Sequence, residues 1–238
     1  MEKVIYLLWR EAGTDADVFA TRLRATLVRT LRAAGARDLQ LNLADEDVKA
    51  AVGLRQACMQ PGPDALVSLW LDSAAEPLRR GIDAAVAGCA VRHAGYRVVE
   101  SQPLRNRRHP PHPGERTEGF AQIALLRRPP RLDAAHWRNI WLNSHTQVAI
   151  DTQSSFEYIQ NLVVHALTDD APAIDAIVEE CFPAAAMSDY KVFFDAPGDE
   201  AKFRHNLQRM MDSVARFIEP GSLDVIPTSQ YRLADAAT

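Results

Sequence analysis

Asp64-Ala-Leu-Val-Ser-Leu-Trp-Leu-Asp-Ser-Ala-Ala75 returns later in the chain as Asp175-Ala-Ile-Val-Glu-Glu-Cys-Phe-Pro-Ala-Ala-Ala186. Asp, Ala and Val recur in register and the two closing alanines coincide, so one structural unit is expected to occur twice. Around the first occurrence, residues 3–9 read as a strand and a helix runs from Asp15 or Asp17 through Phe19, Leu23, Leu27, Thr30 and Leu31 to Gly35. Residues 37–43 alternate as a half-buried strand, residues 65–71 are a more apolar strand, and a helix over 74–88 and a strand over 91–102 follow. Around the second occurrence the order returns. A strand at 120–126 precedes a helix over 137–150 capped by Asp133, and a strand at 156–167 precedes the repeat itself. A helix from Asp199 to Phe217 and a strand at 223–233 close the set. Pro227 predicts that this last strand lies at an edge or a bulge.

Two βαββαβ units predict an α+β fold in which each antiparallel four-stranded sheet carries two helices on one face. The other face cannot be left to water. Val4, Tyr6 and Leu8 alternate with Ile5, Leu7 and Trp9, and residues 66–71 are apolar on both sides. The tandem ferredoxin-like halves, 1–104 and 119–238, are therefore expected to pack sheet on sheet as an α/β barrel within one chain. Residues 105–118 form the linker, stiffened by prolines and rich in arginine, with Pro103 at its approach. Its His109 and His112 have no carboxylate or thiol close in sequence, so a solvated connector is expected there, not a metal site.

The 238 residues are 47% hydrophobic and carry a net charge of −4, enough for a large core but without the basic field that attracts nucleic acid or an anionic membrane. No apolar run approaches the ~20 residues of a membrane span, and the N-terminus lacks signal-peptide features, which predicts a cytoplasmic protein. Cys58, Cys89 and Cys181 lack metal-ligand or disulfide spacing and are expected to be packed thiols. No Gly-rich phosphate loop, HExxH or Ser-His-Asp pattern is present, so neither a cofactor nor a metal is expected. A small-molecule ligand is the expected partner, with a homodimer as the candidate assembly.

The candidate site lies on the 137–150 helix. Trp137, Ile140, Trp141, Ser144, His145 and Val148 share one helical face. Displacing this helix by 118 positions puts Trp137 on Phe19, Trp141 on Leu23 and His145 on Leu27. One copy has leucine where the other has histidine, so the imidazole is not demanded by the architecture. Trp137 and Trp141 are core or pocket wall. On the next strand, Tyr158 and Gln160 face one way and Asn161 the other; either set could reach the helix. Gln122, within an apolar strand, is a further polar candidate. Glu179 and Glu180 lie on opposite strand faces and are not read as an acid/base dyad.

The pattern Leu132-x4-Trp137-x3-Trp141-x3-His145, followed by Tyr158-Ile-Gln-Asn161, Asp175-Ala-Ile-Val178 and Ser229-Gln-Tyr231, resembles the EthD-like group of the dimeric α/β-barrel superfamily. The likeness covers residues 119–233, and Trp70-Leu-Asp-Ser73 extends it more distantly into the first half. It implies a ferredoxin-like barrel with a small-molecule pocket. Barrel relatives include cofactor-free monooxygenases, polyketide cyclases, decarboxylases, lactone isomerases and haem enzymes. The expected function is cofactor-independent action on an apolar cyclic or aromatic oxygenated compound, as a lyase, isomerase or monooxygenase, with His145 as acid or base. The alternative is a carrier in which His145 only orients the ligand; haem ligation by His145 is a third option.

Overall fold

The computed structural model describes residues 1–233. Its first elements are β1 (Glu2–Trp9), a helix passing from α1 (Ala16–Arg22) through a π turn (Leu23–Leu27) into α2 (Val28–Ala33), β2 (Arg37–Leu43) and a 3₁₀ segment (Glu46–Leu54). β3 (Ala65–Leu71), α3 (Glu76–Ala87) and β4 (Arg92–Leu104) follow. The same order then returns as β5 (Phe120–Leu126), α4 (Ala134–Ile140), a π turn (Trp141–His145), α5 (Thr146–Thr152), β6 (Glu157–Ala166) and β7 (Ala176–Phe182). A 3₁₀ turn (Ala184–Met187), the short α6 (Tyr190–Phe193), α7 (Glu200–Ala215) and β8 (Asp224–Leu233) complete it. Aspartates open the helices as their sequence positions predict. Asp15 accepts from the N–H groups of Asp17 and Val18, Asp133 from His136 and Asp199 from Lys202.

The strands run β4-β1-β3-β2 and β8-β5-β7-β6, the ferredoxin-like order twice, and the two groups are joined at both margins. β2 pairs with β8 and β4 with β6, both antiparallel, giving a closed eight-stranded barrel with helices outside. This α+β barrel within one chain is the predicted fold, with the two sheets fused into one hydrogen-bonded ladder. Closure removes the strand edges that an open plait would expose.

Strand alternation then commits each side chain to one of two layers. Ile5, Leu7, Trp9, Leu66, Tyr96, Ile123, Leu125, Ile177 and Ile226 fill one end of the barrel interior. Val4, Tyr6 and Leu8 point outward against α1 to α3, while Phe120, Ala124, Val178 and Phe182 point outward against α4 to α7. The other end of the interior is polar. There Glu179 accepts from Gln40, from Asn42 and from Gln230 at 2.7–2.9 Å, and Gln230 also donates to Glu157, which pairs with Arg232. Both of these buried carboxyls have hydrogen-bond donors, as polar groups in a low-dielectric interior require.

Three expectations change. Pro227 lies in a barrel with no free edge, but β8 pairs with β2 only from Ser229 onward, so the proline sits where β8 is bonded to β5 alone and no ladder donor is lost. The linker is not solvated throughout. His109 pairs with Glu118 and packs on the Phe156 ring, and the N–H groups of Gly114 and Thr117 donate to the carbonyls of Arg232 and Gln230. Cys58 is exposed, unlike the buried Cys89 and Cys181. No helix among the described residues is long and apolar enough to cross a membrane.

Gly119, where the linker enters β5, has φ +82° and is the position at which a side chain meets the backbone most closely. A Cβ there would stand 1.9 Å from the Phe182 carbonyl oxygen, whereas one on Gly114 (φ +80°) would meet nothing within 4 Å. Gly119→Ala is expected to lose at least ~2 kcal/mol in denaturant unfolding, through strain and displacement of β7, and Gly114→Ala only about 1 kcal/mol. Equal losses would show that the backbone approach at Gly119 does not constrain the barrel.

Candidate functional site

A cavity of about 300 Å³ lies between the outer face of β5, β7, β6 and β8 and the helical layer formed by the α4–α5 helix and α7. Its walls are mostly apolar, with Phe193, Phe194, Phe217, Met210, Val178 and Ala124 prominent. Gly53, Leu54 and Gln56 reach it from the other strand group, and the Tyr190 hydroxyl, also at the wall, donates to the Gly53 carbonyl at 3.0 Å.

The polar groups in this wall form a pattern set by strand register. Gln122 is directly opposite Glu180 across β5–β7, and Glu180 is directly opposite Tyr158 across β7–β6. The three side chains therefore form a row on one face of three adjacent strands, and His145 faces the same cavity from the helix. In the β1–β4 group Val4 is opposite Leu69 across β1–β3, Leu39 lies beside them where the β2–β3 register shifts, and Leu27 is on the helix, all of them buried in that group's core. Four aliphatic side chains thus correspond to Gln, Glu, Tyr and His. Each buried aliphatic would stabilise the fold by about 1.5–3 kcal/mol, and the polar set forgoes this. Stability does not explain the polar row.

Glu180 is 6% exposed, and its Oε1 has no hydrogen-bond partner among the described residues. Burial pushes its carboxyl up to about 8, opposed by a hydrogen bond from Gln122. At neutral pH it is mostly the protonated acid. Burial also drives the Tyr158 phenol upward, and the nearby Glu180 adds to this, so the phenol stays protonated. His145 is 8% exposed and is pushed down to about 4, first by burial and then by the Arg216 guanidinium. Its ring lies 4.5 Å from that of Phe217, and Nδ1 is 3.0 Å from Ser213 Oγ on α7. The cavity therefore offers neutral polar groups in an apolar wall, a setting for uncharged compounds. Among the described residues no group of three or more His, Cys, Asp or Glu side chains could hold a metal ion.

Of the residues singled out from sequence, the structure brings His145, Tyr158 and Gln122 to this cavity. Trp137 and Trp141 are core, with rings 5.3 Å apart, and the Trp137 indole N–H donates to the Phe217 carbonyl. Gln160 shares the Tyr158 face but ties β4 and β6 to the helix, accepting from Ser101 and donating to Thr146 Oγ1 at 2.7 Å. Asn161 points to the barrel interior and donates to the Ile177 carbonyl. The π turn adds a residue to the helical turn, so Ala149 takes the buried position and Val148 is half-buried.

Glu180 and Ser213 were missed. Ser213 gives no sequence signal, but Glu180 stands opposite Leu69 in the repeat itself. Leucine replaced by a carboxylate in an otherwise apolar register is the same contrast that marks His145. Glu179 and Glu180 do face opposite ways; the partners of Glu180 lie on neighbouring strands.

Comparison with protein-family models gives no match, and neither does comparison with curated protein sequences. Among solved structures, an anthrone oxidase-like protein aligns over 99% of this chain and 96% of its own, at a TM-score of 0.59 and 8% identity. A provisionally assigned monooxygenase from Lactobacillus acidophilus NCFM aligns over 100% and 97% (TM-score 0.48, 9% identity). A dye-decolorizing peroxidase from Bacteroides thetaiotaomicron VPI-5482 aligns over 97% and 93% (TM-score 0.45, 10% identity). The first likeness, spanning nearly the whole of both chains, shows a shared α/β-barrel fold.

Proposed function

We propose that this chain binds an uncharged apolar ring compound bearing a carbonyl or hydroxyl oxygen, and that it acts on it by proton transfer without a cofactor. Glu180 and His145 are the catalytic groups, and Gln122 and Tyr158 are ligand contacts. The observation that carries the reading is the Gln122–Glu180–Tyr158 row with His145 above it, placed where the β1–β4 group has four aliphatic side chains. We read 1–104 and 119–238 as copies of one unit, of which the second kept a pocket. The EthD-like motifs over 119–233 and the barrel shared with an anthrone oxidase-like protein agree with a small-molecule enzyme of oxygenated ring compounds.

In the simplest reaction of this class, Glu180 as carboxylate takes a proton from a carbon beside the ring carbonyl or conjugated with it through the ring. The electron pair of that C–H bond moves toward the carbonyl oxygen, and the Glu180 acid returns the proton to oxygen or to another carbon. The reaction is an isomerisation and needs no oxidant. A carboxyl near 8 suits both directions of transfer at neutral pH.

Anthrone, a tricyclic ketone with an acidic methylene, is the test compound, and deuterium uptake at that methylene in D₂O is the readout. The protein is expected to accelerate exchange, and Glu180→Gln to slow it by about 10²–10⁴-fold. His145→Leu, which copies Leu27, is expected to lower exchange sharply while changing stability by no more than about 1 kcal/mol. Tight binding of anthrone with no acceleration by the unmodified protein would make the chain a carrier; no binding would refute the ring-compound reading.

The same carboxyl sets a pH dependence of folding. Between the ordinary carboxyl value of 4.5 and about 8, Glu180 holds a proton in the folded chain that the unfolded chain releases. Its contribution is full below 4.5 and is lost as pH rises through about 8. Glu180→Gln, which cannot ionise, is expected to gain stability relative to the unmodified protein across that window, up to ~5 kcal/mol by pH 9. A difference independent of pH would mean that Glu180 is ionised in the folded chain.

A further inference from the structure

We infer that His145 works as a hydrogen-bond donor, not as a base: Ser213 and Arg216 hold its imidazole with the proton on Nε2, and the compound bound presents an acceptor oxygen, a ring ketone or quinone, to that N–H. This deepens the proposed ring-compound site and rests on it for the ligand, though not for the state of the free imidazole.

The assignment comes from a count of protons. Ser213 is 3% exposed, and its hydroxyl oxygen has two partners, His145 Nδ1 at 3.0 Å and Arg216 Nη2 at 3.0 Å. A guanidinium only donates, so the hydroxyl accepts from Arg216, and among the described residues the one acceptor in hydrogen-bond contact with its own hydrogen is the Nδ1 lone pair. The opposite arrangement, Nδ1–H donating to Ser213, would make the hydroxyl accept twice and leave its hydrogen unpaired in a buried position. Arg216 is fixed in turn by donating to Ser144 Oγ at 2.9 Å, one residue before His145. A neutral imidazole with a filled Nδ1 carries its hydrogen on Nε2.

Burial and the Arg216 charge, which keep the ring neutral, agree with this. They also make His145 a weak base at neutral pH, which leaves Glu180 as the group that exchanges protons. As the negative charge moves onto the carbonyl oxygen in enolisation, a fixed neutral N–H donor stabilises it without a proton changing hands. Ser213 and Arg216 are positioning residues, because they act on the ligand only through the imidazole. The helix–helix contact thereby selects the ligand: a ring with an acceptor oxygen gains a bond that the bare hydrocarbon cannot.

Two measurements test this. In ¹⁵N-histidine-labelled protein without ligand at pH 7, the signal absent from His145→Leu is expected to show a protonated Nε2 and an unprotonated Nδ1, and Ser213→Ala to shift it toward the other tautomer. In the second, 9-fluorenone, which has a carbonyl and no enolisable proton, is compared with fluorene, the same ring system without the oxygen. Fluorenone affinity is expected to fall about tenfold in Ser213→Ala and in His145→Leu, with the bound carbonyl stretch returning toward its free frequency, while fluorene affinity changes less than twofold. A protonated Nδ1 in the free protein overturns the inference, and so does a carbonyl stretch that is the same in the unmodified protein and His145→Leu. Failure of both compounds to bind overturns the ring-ligand reading, whereas the tautomer is read without any ligand.

Discussion

Two hydrogen-bonded seams, β2 on β8 and β4 on β6, set the terms for everything else in this molecule. With the barrel closed, the strands are buried on one face by the interior and, apart from the exposed ends of β4 and β6, on the other by helices, and a buried polar side chain on either face has to be matched or it costs stability. Inside the barrel the buried carboxyls are matched: Glu179 receives its carboxamide donors, and Glu157 receives Gln230 and Arg232. Outside, beneath α4 to α7, the matching is incomplete at Glu180, whose Oε1 has no partner among the described residues. The two adjacent carboxyls Glu179 and Glu180 thus have opposite fates. One is a hydrogen-bonded structural carboxyl and the other a neutral acid at a cavity wall, and a single step along β7 separates them.

Much of the fold was legible because alternation and caps are local. Strands at 37–43, 65–71 and 120–126 have the bounds that alternation and turn residues predict, and Asp15, Asp133 and Asp199 cap as their positions suggest. Closure could be argued from strands that are apolar on both faces. The helix offset was legible too: the π turns at Leu23–Leu27 and Trp141–His145 are separated by the same 118 residues that align Leu27 with His145. The turns themselves were not, since a π turn leaves no mark in hydrophobic spacing, and this is why Val148 gave way to Ala149.

The site was only partly legible, for a related reason. His145 stood out as a polar residue in an apolar stripe, but a stripe does not tell cavity wall from core, so Trp137 and Trp141 were indistinguishable from lining residues. Strand parity separated Tyr158 and Gln160 from Asn161 without saying which face met the helix. Gln160 then shows that facing the right layer is not enough, since it is occupied in holding Thr146 and Ser101. Ser213 is 68 residues from His145, and Gly53 and Leu54 come from the other strand group, so their arrival at one cavity is a property of the closed barrel. Glu180 was available from the repeat, through its correspondence with Leu69.

The β2–β8 seam also bears on how the chain reaches its native state. It joins segments very distant in sequence; Arg232 donates to Gln40, 192 residues earlier. Until β8 arrives, β2 presents an unpaired apolar margin, and β4 waits likewise for β6. Closure over such separations carries a large loop entropy before any contact rewards it, which favours slow assembly in which each four-stranded group forms first and the two then dock. During that interval the open margins match those of any other unfinished copy. Exchange of β5–β8 between two chains would satisfy the same ladders, so domain-swapped dimers are the characteristic misassembly this topology invites at high concentration.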